Sequence, residues 1–499
     1  MSGVESSGLT VAVLAALTGA TVEVVAPPGA APSLRPALGE PIRAAAIDSR
    51  LVGAGDLFVA LPGARTDGAR FAADACARGA FALLTPAAPT PTPEQWASRT
   101  ALGAELPAPV ALVVPDPLAA LQKAATAWRA SFPAVTVVGV TGSVGKTTTR
   151  EAIATLLALA MPVLVSPRSY NNEIGLPLTL LGLRATHRAA VLEMGMYTRG
   201  DIAALASMAA PRIGVVTMVA PEHLETAGSL DAIAAGKAEL VEALPSGGVA
   251  VLNGDDARVR AMAALTAARA VFFGLGEDND WRATAIDDKG LDGLAFTLVH
   301  GPESTRVETP VVGRHLLYAL LAAAAVAETV GLTFGDIVAA LPGVRFAERQ
   351  RIVAAPRGRL VIDDAWNASP PSMLAALDVL ATIDRRRVAV LGEMREMGAA
   401  SEEGHRVVGR RAGTVVDALV TVGPGGAVMA EEALRAGLAG ANVVHVAGRE
   451  DVPAALDGLL RDDDAVLVKG SRALALESVV DWLIDARAEN APLRAEATV

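Results

Sequence analysis

The sequence predicts an α/β chain of three domains, and three observations carry that prediction. Short β-branched runs alternate with alanine-rich helical stretches. A glycine-rich loop at 139–149 joins one such run to one such stretch. The alternation stops near Leu341-Pro342-Gly343 and then restarts. Strands alternating with helices are the pattern of a parallel sheet covered on both faces.

Length agrees with this reading. At 499 residues the chain exceeds what one hydrophobic core usually holds, so two to four domains are expected. The stretch 86–109 is rich in proline and reads as an irregular loop inside the first domain. A helix at about 118–131 then leads to a strand at 135–140, and residues 147–158 read as the next helix. Further strands are expected at 189–192, 213–216 and 248–252, and a helix at 316–330. After residue 343 the rhythm resumes with strands at 359–362, 388–391, 418–422 and 465–468. The expected domains are therefore 1–132, 133–344 and 345–499.

Composition excludes several classes. Net charge is −11, which makes a nucleic-acid partner a poor expectation. An anionic ligand would need a local cluster of cations and backbone N–H groups. The longest apolar run, 316–327, is too short to span a bilayer, so no membrane insertion is expected. The first basic residue is Arg35 and Glu5 precedes the apolar stretch, the wrong order for an export signal. The single cysteine, Cys76, excludes an internal disulfide and a multi-cysteine zinc site. It reads as a small buried side chain. These features point to the cytoplasm.

The loop Gly139-Val140-Thr141-Gly142-Ser143-Val144-Gly145-Lys146-Thr147-Thr148-Thr149 is the strongest local signal. Its glycines let the backbone fold around a phosphate with N–H groups pointing inward. The following helix adds positive potential at its N-terminus. Lys146 would reach the β and γ phosphates and the Thr147 hydroxyl would ligate Mg²⁺. The bland alternative, a glycine-rich turn with a solvated lysine, explains the context of strand, Gly-x-x-Gly-Lys-Thr and helix less well. The spacing is short: the commoner phosphate loop has glycine where this chain has Val140.

Beyond the loop the residues alone leave alternatives open. Glu193 ends the strand at 189–192. A carboxylate there lies at the ligand crevice of an open α/β sheet and suits Mg²⁺, or it is a strand-end acid facing solvent. His223, in Ala220-Pro221-Glu222-His223-Leu224-Glu225, reads on its own as a hydrogen-bonded structural histidine. Glu222 and Glu225 read as helix N-terminal acids. Lys237, in Ala235-Gly236-Lys237-Ala238-Glu239-Leu240, reads as a solvated helical lysine.

Taken in order, Thr-Gly-x-x-Gly-Lys-Thr-Thr-Thr, Asn-Asn-Glu-Ile-Gly from Asn171, Glu-Met-Gly-Met from Glu193, Glu-His-Leu-Glu and Gly-Lys-x-Glu-Leu resemble the Mur ligases of peptidoglycan assembly. The likeness covers nearly the whole chain. Ile47-Asp48-Ser49-Arg50 with Gly55-Asp56-Leu57-Phe58 resembles the family's uridine-nucleotide domain. Ile362-Asp363-Asp364-Ala365-Trp366-Asn367-Ala368-Ser369-Pro370, Leu391-Gly392-Glu393-Met394 and Val468-Lys469-Gly470-Ser471-Arg472 continue it through the third domain. The short loop is shared with folylpolyglutamate synthetases and argues against a small GTPase or an ordinary kinase. The Asp-Ser-Arg segment favours a UDP-sugar substrate over a folate.

The resemblance implies a small α/β N-terminal domain, a central P-loop parallel-sheet ATPase-like domain and a C-terminal Rossmann-like α/β domain. It implies ATP, two Mg²⁺ ions and an amide-forming ligase that activates a carboxylate as an acyl phosphate. Within the family the likeness is strongest to the members that join D-Ala-D-Ala to UDP-MurNAc-tripeptide. Carried over by position, Gly142, Ser143, Val144, Gly145, Lys146, Thr147, Thr148, Arg349 and Asp364 would bind ATP. Thr147, Glu193 and His223 would hold metal, and Lys237 would do so as a carbamate formed with CO₂. Lys146, His223, Lys237 and Arg349 would be catalytic. Ser49, Arg50, Asn171, Asn172 and Lys469 would contact the uridine-nucleotide substrate or the incoming amine. A monomer whose third domain closes over ATP is the family expectation.

The match has gaps. Leu316 and Ala319 stand where the resembled segment commonly carries asparagines near the adenine, and apolar side chains cannot make those hydrogen bonds. Ser369 stands for an asparagine, Trp366 for a tyrosine, and Met218-Val219-Ala220-Pro221 for a more usual Asn-x-Gly-Glu/Asp-Ala. Two other readings follow: a divergent ligase for another acid and amine, and a silent nucleotide-binding paralogue.

Overall fold

The computed structural model describes residues 8–27, 35–63, 66–103, 106–167, 169–222, 224–346 and 351–485. The chain forms two compact units. One comprises Met1–Gly139, Met161–Gly195 and Ala203–Arg212, the other Val140–Ala160, Met196–Ile202 and Ile213–Val499.

The first unit carries a five-stranded sheet in the order Thr21–Val24, Val110–Val113, Ala82–Thr85, Leu57–Val59, Ala45–Ala46. The last four run parallel and the first is antiparallel to its neighbour. Val52, Phe58, Ala75, Cys76 and Leu83 close one core. Burial pushes the Cys76 thiol up to about 12, so it stays protonated and packs as a small apolar group.

The proline-rich stretch is not all loop, as its composition suggests. It holds the helix Pro93–Leu102, capped by a reciprocal Thr92–Gln95 box with proline in the first turn. Proline is favoured there because its missing N–H is not needed and its φ is already helical. The helix Pro117–Ala130, capped by Asp116, follows. Arg129 is buried near its end and donates to three carbonyls, Ala209 at 2.9 Å, Phe132 at 2.7 Å and Val135 at 3.2 Å. It thereby fixes the entry to the strand Thr136–Thr141. The strands Val163–Val165 and Ala189–Glu193 pair in parallel.

In the second unit Ile213–Val216, Val249–Asn253, Arg269–Gly274 and Trp281–Asp288 run parallel. The sheet then turns antiparallel through Leu294–His300 and Glu303–Thr309. A wholly parallel sheet was the expectation. The departure follows from connection length, since turns as short as 289–293 and 301–302 join only antiparallel neighbours. The longest apolar run is the helix Leu317–Thr329, buried on nearly every side and packed on the helix Lys146–Ala158. Among the described residues no helix is long and apolar enough to cross a membrane.

Downstream lies a six-stranded sheet in the order Arg351–Ala354, Leu360–Asp364, Ala465–Lys469, Arg387–Gly392, Ala418–Val422, Val443–Val446. Five strands are parallel and the first is antiparallel. Met373, Leu377, Val408 and Met429 cover one face; Val452, Leu456, Val479 and Leu483 cover the other.

Arg129→Met removes three bonds to carbonyls and leaves them without those donors. It should cost on the order of 3 kcal/mol of stability, read as a lowered denaturation midpoint with an unchanged slope.

Candidate active site

The site grows from the end of the strand Thr136–Thr141. Gly142 has φ 145°, and a Cβ built there would lie 1.8 Å from Thr217 Oγ1. Only glycine fits. Gly145, at φ 85°, turns the chain into the helix Lys146–Ala158. Between them the loop is bonded to the segment after the strand Ile213–Val216. Thr217 Oγ1 donates to the Val144 carbonyl at 2.6 Å, and the Ser143 N–H donates to the Met218 carbonyl at 2.7 Å. Ser143 Oγ donates to the Ala220 carbonyl at 2.8 Å and accepts from the Ala220 N–H at 2.9 Å. That segment is held in turn from the next strand, by Asn253 Nδ2 on the Thr217 carbonyl at 2.7 Å and by the Asp256 carboxylate on the Val219 N–H at 2.8 Å.

Three charges converge on this frame. Lys146 Nζ donates to the carbonyls of Gly142 at 2.5 Å and Ser143 at 3.2 Å, and lies 3.4 Å from Glu222 Oε2. Lys237 Nζ lies 2.6 Å from Glu222 Oε1. The lysine that reads as solvated is 1% exposed. The helix Leu230–Glu242 buries Ile233 and every residue from Gly236 to Val241; among these Ile233, Lys237, Leu240 and Val241 share one face at three-four spacing, which puts Lys237 among apolar side chains. That spacing was visible in the sequence and marks the lysine as unusual. Burial pushes its ammonium down to about 8, against the pull of Glu222. Glu222 is not merely an N-terminal acid: the helix Leu224–Ala227 begins beyond it, and its carboxylate serves both lysines. Thr147 and Thr148 are buried in the first turn of the loop helix.

In the first unit Glu193 is 2% exposed at the end of its strand, which corrects the solvent-facing alternative. Asn171 Nδ2 donates to its Oε1 at 2.8 Å, and its own N–H donates to Ser166 Oγ at 3.2 Å. Asn172 Oδ1 accepts the Gly175 N–H at 2.9 Å, at the start of the helix Gly175–Leu180. Ser49 is buried in a short turn, while Arg50 is mostly exposed and pairs with Asp48 at 2.7 Å.

Asp364 and Lys469 end neighbouring parallel strands in register. The Lys469 ammonium bonds the Asp364 carboxylate at 2.6 Å and the Asn367 carbonyl at 2.8 Å. Two residues expected to serve different ligands therefore form one buried ion pair. Beside them the Arg472 guanidinium lies 3.9 Å over the Trp366 ring. His223 and Arg349 lie outside the described residues. Among the described residues no group of three or more His, Cys, Asp or Glu is clustered to hold a metal ion. The arrangement around Lys146 offers backbone N–H groups, a helix N-terminus and two lysines, the requirements for holding a phosphate chain.

Three family models match the chain in order. They are the Mur ligase family catalytic domain over residues 41–129, the Mur ligase middle domain over 140–327 and the Mur ligase glutamate ligase domain over 348–472. A UDP-N-acetylmuramoyl-tripeptide–D-alanyl-D-alanine ligase of Mycobacterium tuberculosis is 40% identical, over 95% of this chain and 98% of that protein. The ligase of the same name from Escherichia coli is 35% identical, over 87% and 92%. A crystal structure of MurF from Acinetobacter baumannii superposes with a TM-score of 0.78 at 27% identity, covering 95% of this chain and 98% of that one. MurF of Thermotoga maritima in complex with ADP gives 0.72 at 27%, covering 88% and 96%.

His315 has a clear pH signature. Burial is the main cause that pushes its imidazolium down to about 4, with Lys469 adding to it and Asp364 opposing. The unfolded chain, titrating near 6.5, binds the extra proton between these values. The contribution to stability is full above about pH 6.5 and is lost as pH falls toward 4, by about 1–3 kcal/mol. His315→Gln should flatten that part of the stability–pH curve, measured by urea denaturation.

Proposed function

Because the chain belongs to the Mur ligase family, we propose that it joins D-alanyl-D-alanine to UDP-N-acetylmuramoyl-tripeptide with ATP, as a step in peptidoglycan precursor synthesis. The observation that carries this is likeness to ligases of that name along nearly the whole chain. It favours this reading over a divergent ligase or a silent paralogue. The protein is a three-domain α/β enzyme that forms a carbon–nitrogen bond and releases ADP and phosphate. We assign residues 1–132 to the UDP-linked substrate and 133–344 to ATP. Residues 345–499 close over ATP and bind the incoming amine. The enzyme works as a monomer in the cytoplasm.

A carboxylate does not accept an amine at neutral pH, because oxide leaves poorly. In the proposed reaction a carboxylate oxygen of the tripeptide attacks the γ-phosphorus, the bond to ADP breaks and an acyl phosphate forms. The amine nitrogen of D-alanyl-D-alanine then attacks the acyl carbon, phosphate leaves and the nitrogen loses a proton. Gly142, Ser143, Val144, Gly145 and Thr148 surround the phosphates with loop and helix-start backbone. Lys146 and Arg349 spread the charge of the transferring group. Asp364, held by Lys469, contacts the nucleotide side. Ser49 and Arg50 hold the uridine end, Asn171 and Asn172 lie along the substrate, and Lys469 lies toward the amine. Water must be excluded from the acyl phosphate, which is the use of domain closure.

Magnesium suits the donors. The Thr147 hydroxyl and the buried Glu193 carboxylate are hard oxygen ligands, and Mg²⁺ needs few protein ligands because it keeps its waters. Thr147, Glu193 and His223 would hold it, and bound there it neutralises phosphate charge. Lys237 suits capture of CO₂, since a lowered ammonium pKa raises the neutral fraction that carbamate formation needs. A carbamate would supply the anion for a second Mg²⁺, and His223 and Lys237 would border the transferring group.

Purified protein should release phosphate from ATP only when both UDP-MurNAc-tripeptide and D-Ala-D-Ala are present. Release that ignores either substrate refutes the assignment. Lys146→Ala should reduce turnover by about a thousandfold while the circular dichroism spectrum is kept. A crystal of the folded protein showing Lys237 as a bare amine under CO₂ and magnesium would remove the carbamate.

A further inference from the structure

The function just given leaves Glu222 without a role, although its carboxylate sits between two lysines of the site. We infer that Glu222 is a resident counter-ion that holds Lys146 in place of phosphate until a nucleotide polyphosphate displaces it. This rests on the assignment of Lys146 to the ATP phosphates.

The two arms of the carboxylate differ. Oε1 is 2.6 Å from the Lys237 ammonium, which is 1% exposed; Oε2 is 3.4 Å from the Lys146 ammonium, which is 18% exposed. The short, dry contact anchors Glu222. The long one, on the more accessible lysine, is the one that exchanges. Lys146 is meanwhile folded back on its own loop, donating to the Gly142 and Ser143 carbonyls. Those acceptors and Oε2 occupy the ammonium that a phosphate would take.

The position of Glu222 is imposed by the loop. Ser143 Oγ clasps both the N–H and the carbonyl of Ala220, two residues ahead of Glu222. Glu222 therefore cannot drift from the lysines without loosening the loop itself. When phosphate arrives before Lys237 is carbamylated, Lys146 moves from one oxyanion to another, and the Lys237 ammonium keeps Oε1. The exchange costs affinity, because the fixed carboxylate repels the incoming phosphates. In return, only a ligand of high negative charge density takes Lys146, so adenosine gains nothing from it. Glu222 is thus a positioning residue that selects for polyphosphate.

Glu222→Gln keeps the shape and removes the charge. By calorimetry it should bind ATP and ADP about three- to tenfold more tightly than the native protein, bind adenosine unchanged, and turn over more slowly with a lower KM for ATP. Glu222→Asp, which keeps the charge, should bind ATP as the native protein does. The double variant Glu222→Gln, Lys237→Met removes the buried ammonium together with its partner, so folding does not rest on an unpaired charge; it should still gain ATP affinity. Unchanged or weaker ATP binding by Glu222→Gln and by the double variant overturns the inference, as does an equal gain for adenosine. Lys146→Ala separates the two readings. If it binds ATP normally, the phosphate site itself is misplaced; if it loses ATP while Glu222→Gln shows no gain, only the counter-ion role falls.

Discussion

The close approach of residue 142 to Thr217 is the constraint on which the site depends. A loop this short can turn from strand to helix only by lying against the end of the neighbouring strand, where no Cβ fits at Gly142. That contact brings Thr217 onto the Val144 carbonyl and Ser143 onto Ala220. Asn253 and Asp256 then hold the same segment from the next strand over. The loop's shape is thus set by three successive strand ends, and the direction of Lys146 is set by the loop.

Charge follows from that frame. The protein carries a net charge of −11, yet two lysines meet at its phosphate loop, one of them buried. An unpaired ammonium in that position would be strongly destabilising, and a paired one is tolerable when its donors are satisfied. Glu222 meets this need because it follows the segment that the loop itself orders. Farther along the second unit, Lys469 and Asp364 solve the same problem with adjacent strand ends in register. In both places a residue proposed to meet a ligand is held by an internal partner.

The helices show how local and long-range terms divide. Leu317–Thr329 is apolar on nearly every side and so must be central; it packs on the loop helix. Pro93–Leu102 forms in a stretch whose prolines suggest loop, because one proline stands where a helix accepts it and Thr92 caps the start. The antiparallel strands after Trp281 exist because their turns are too short for a crossover.

Sequence by itself determined the α/β class, most strand positions, the phosphate loop and the family, since these follow from periodicity, glycine placement and ordered motifs. The strand Ile213–Val216 and the helix that begins at Lys146 lie within a residue of where the pattern put them. Tertiary structure alone decided which charges meet. Lys146, Glu222 and Lys237 are far apart in the chain; Lys146 and Glu222 come together because a parallel sheet gathers the ends of its strands along one edge, and Lys237 reaches them from the helix Leu230–Glu242. For the same reason Glu193 turned out buried, Lys469 turned out to be the partner of Asp364, and Glu222 gained two lysines instead of a helix end. Pairing and burial depend on non-local contacts, which neither composition nor spacing records.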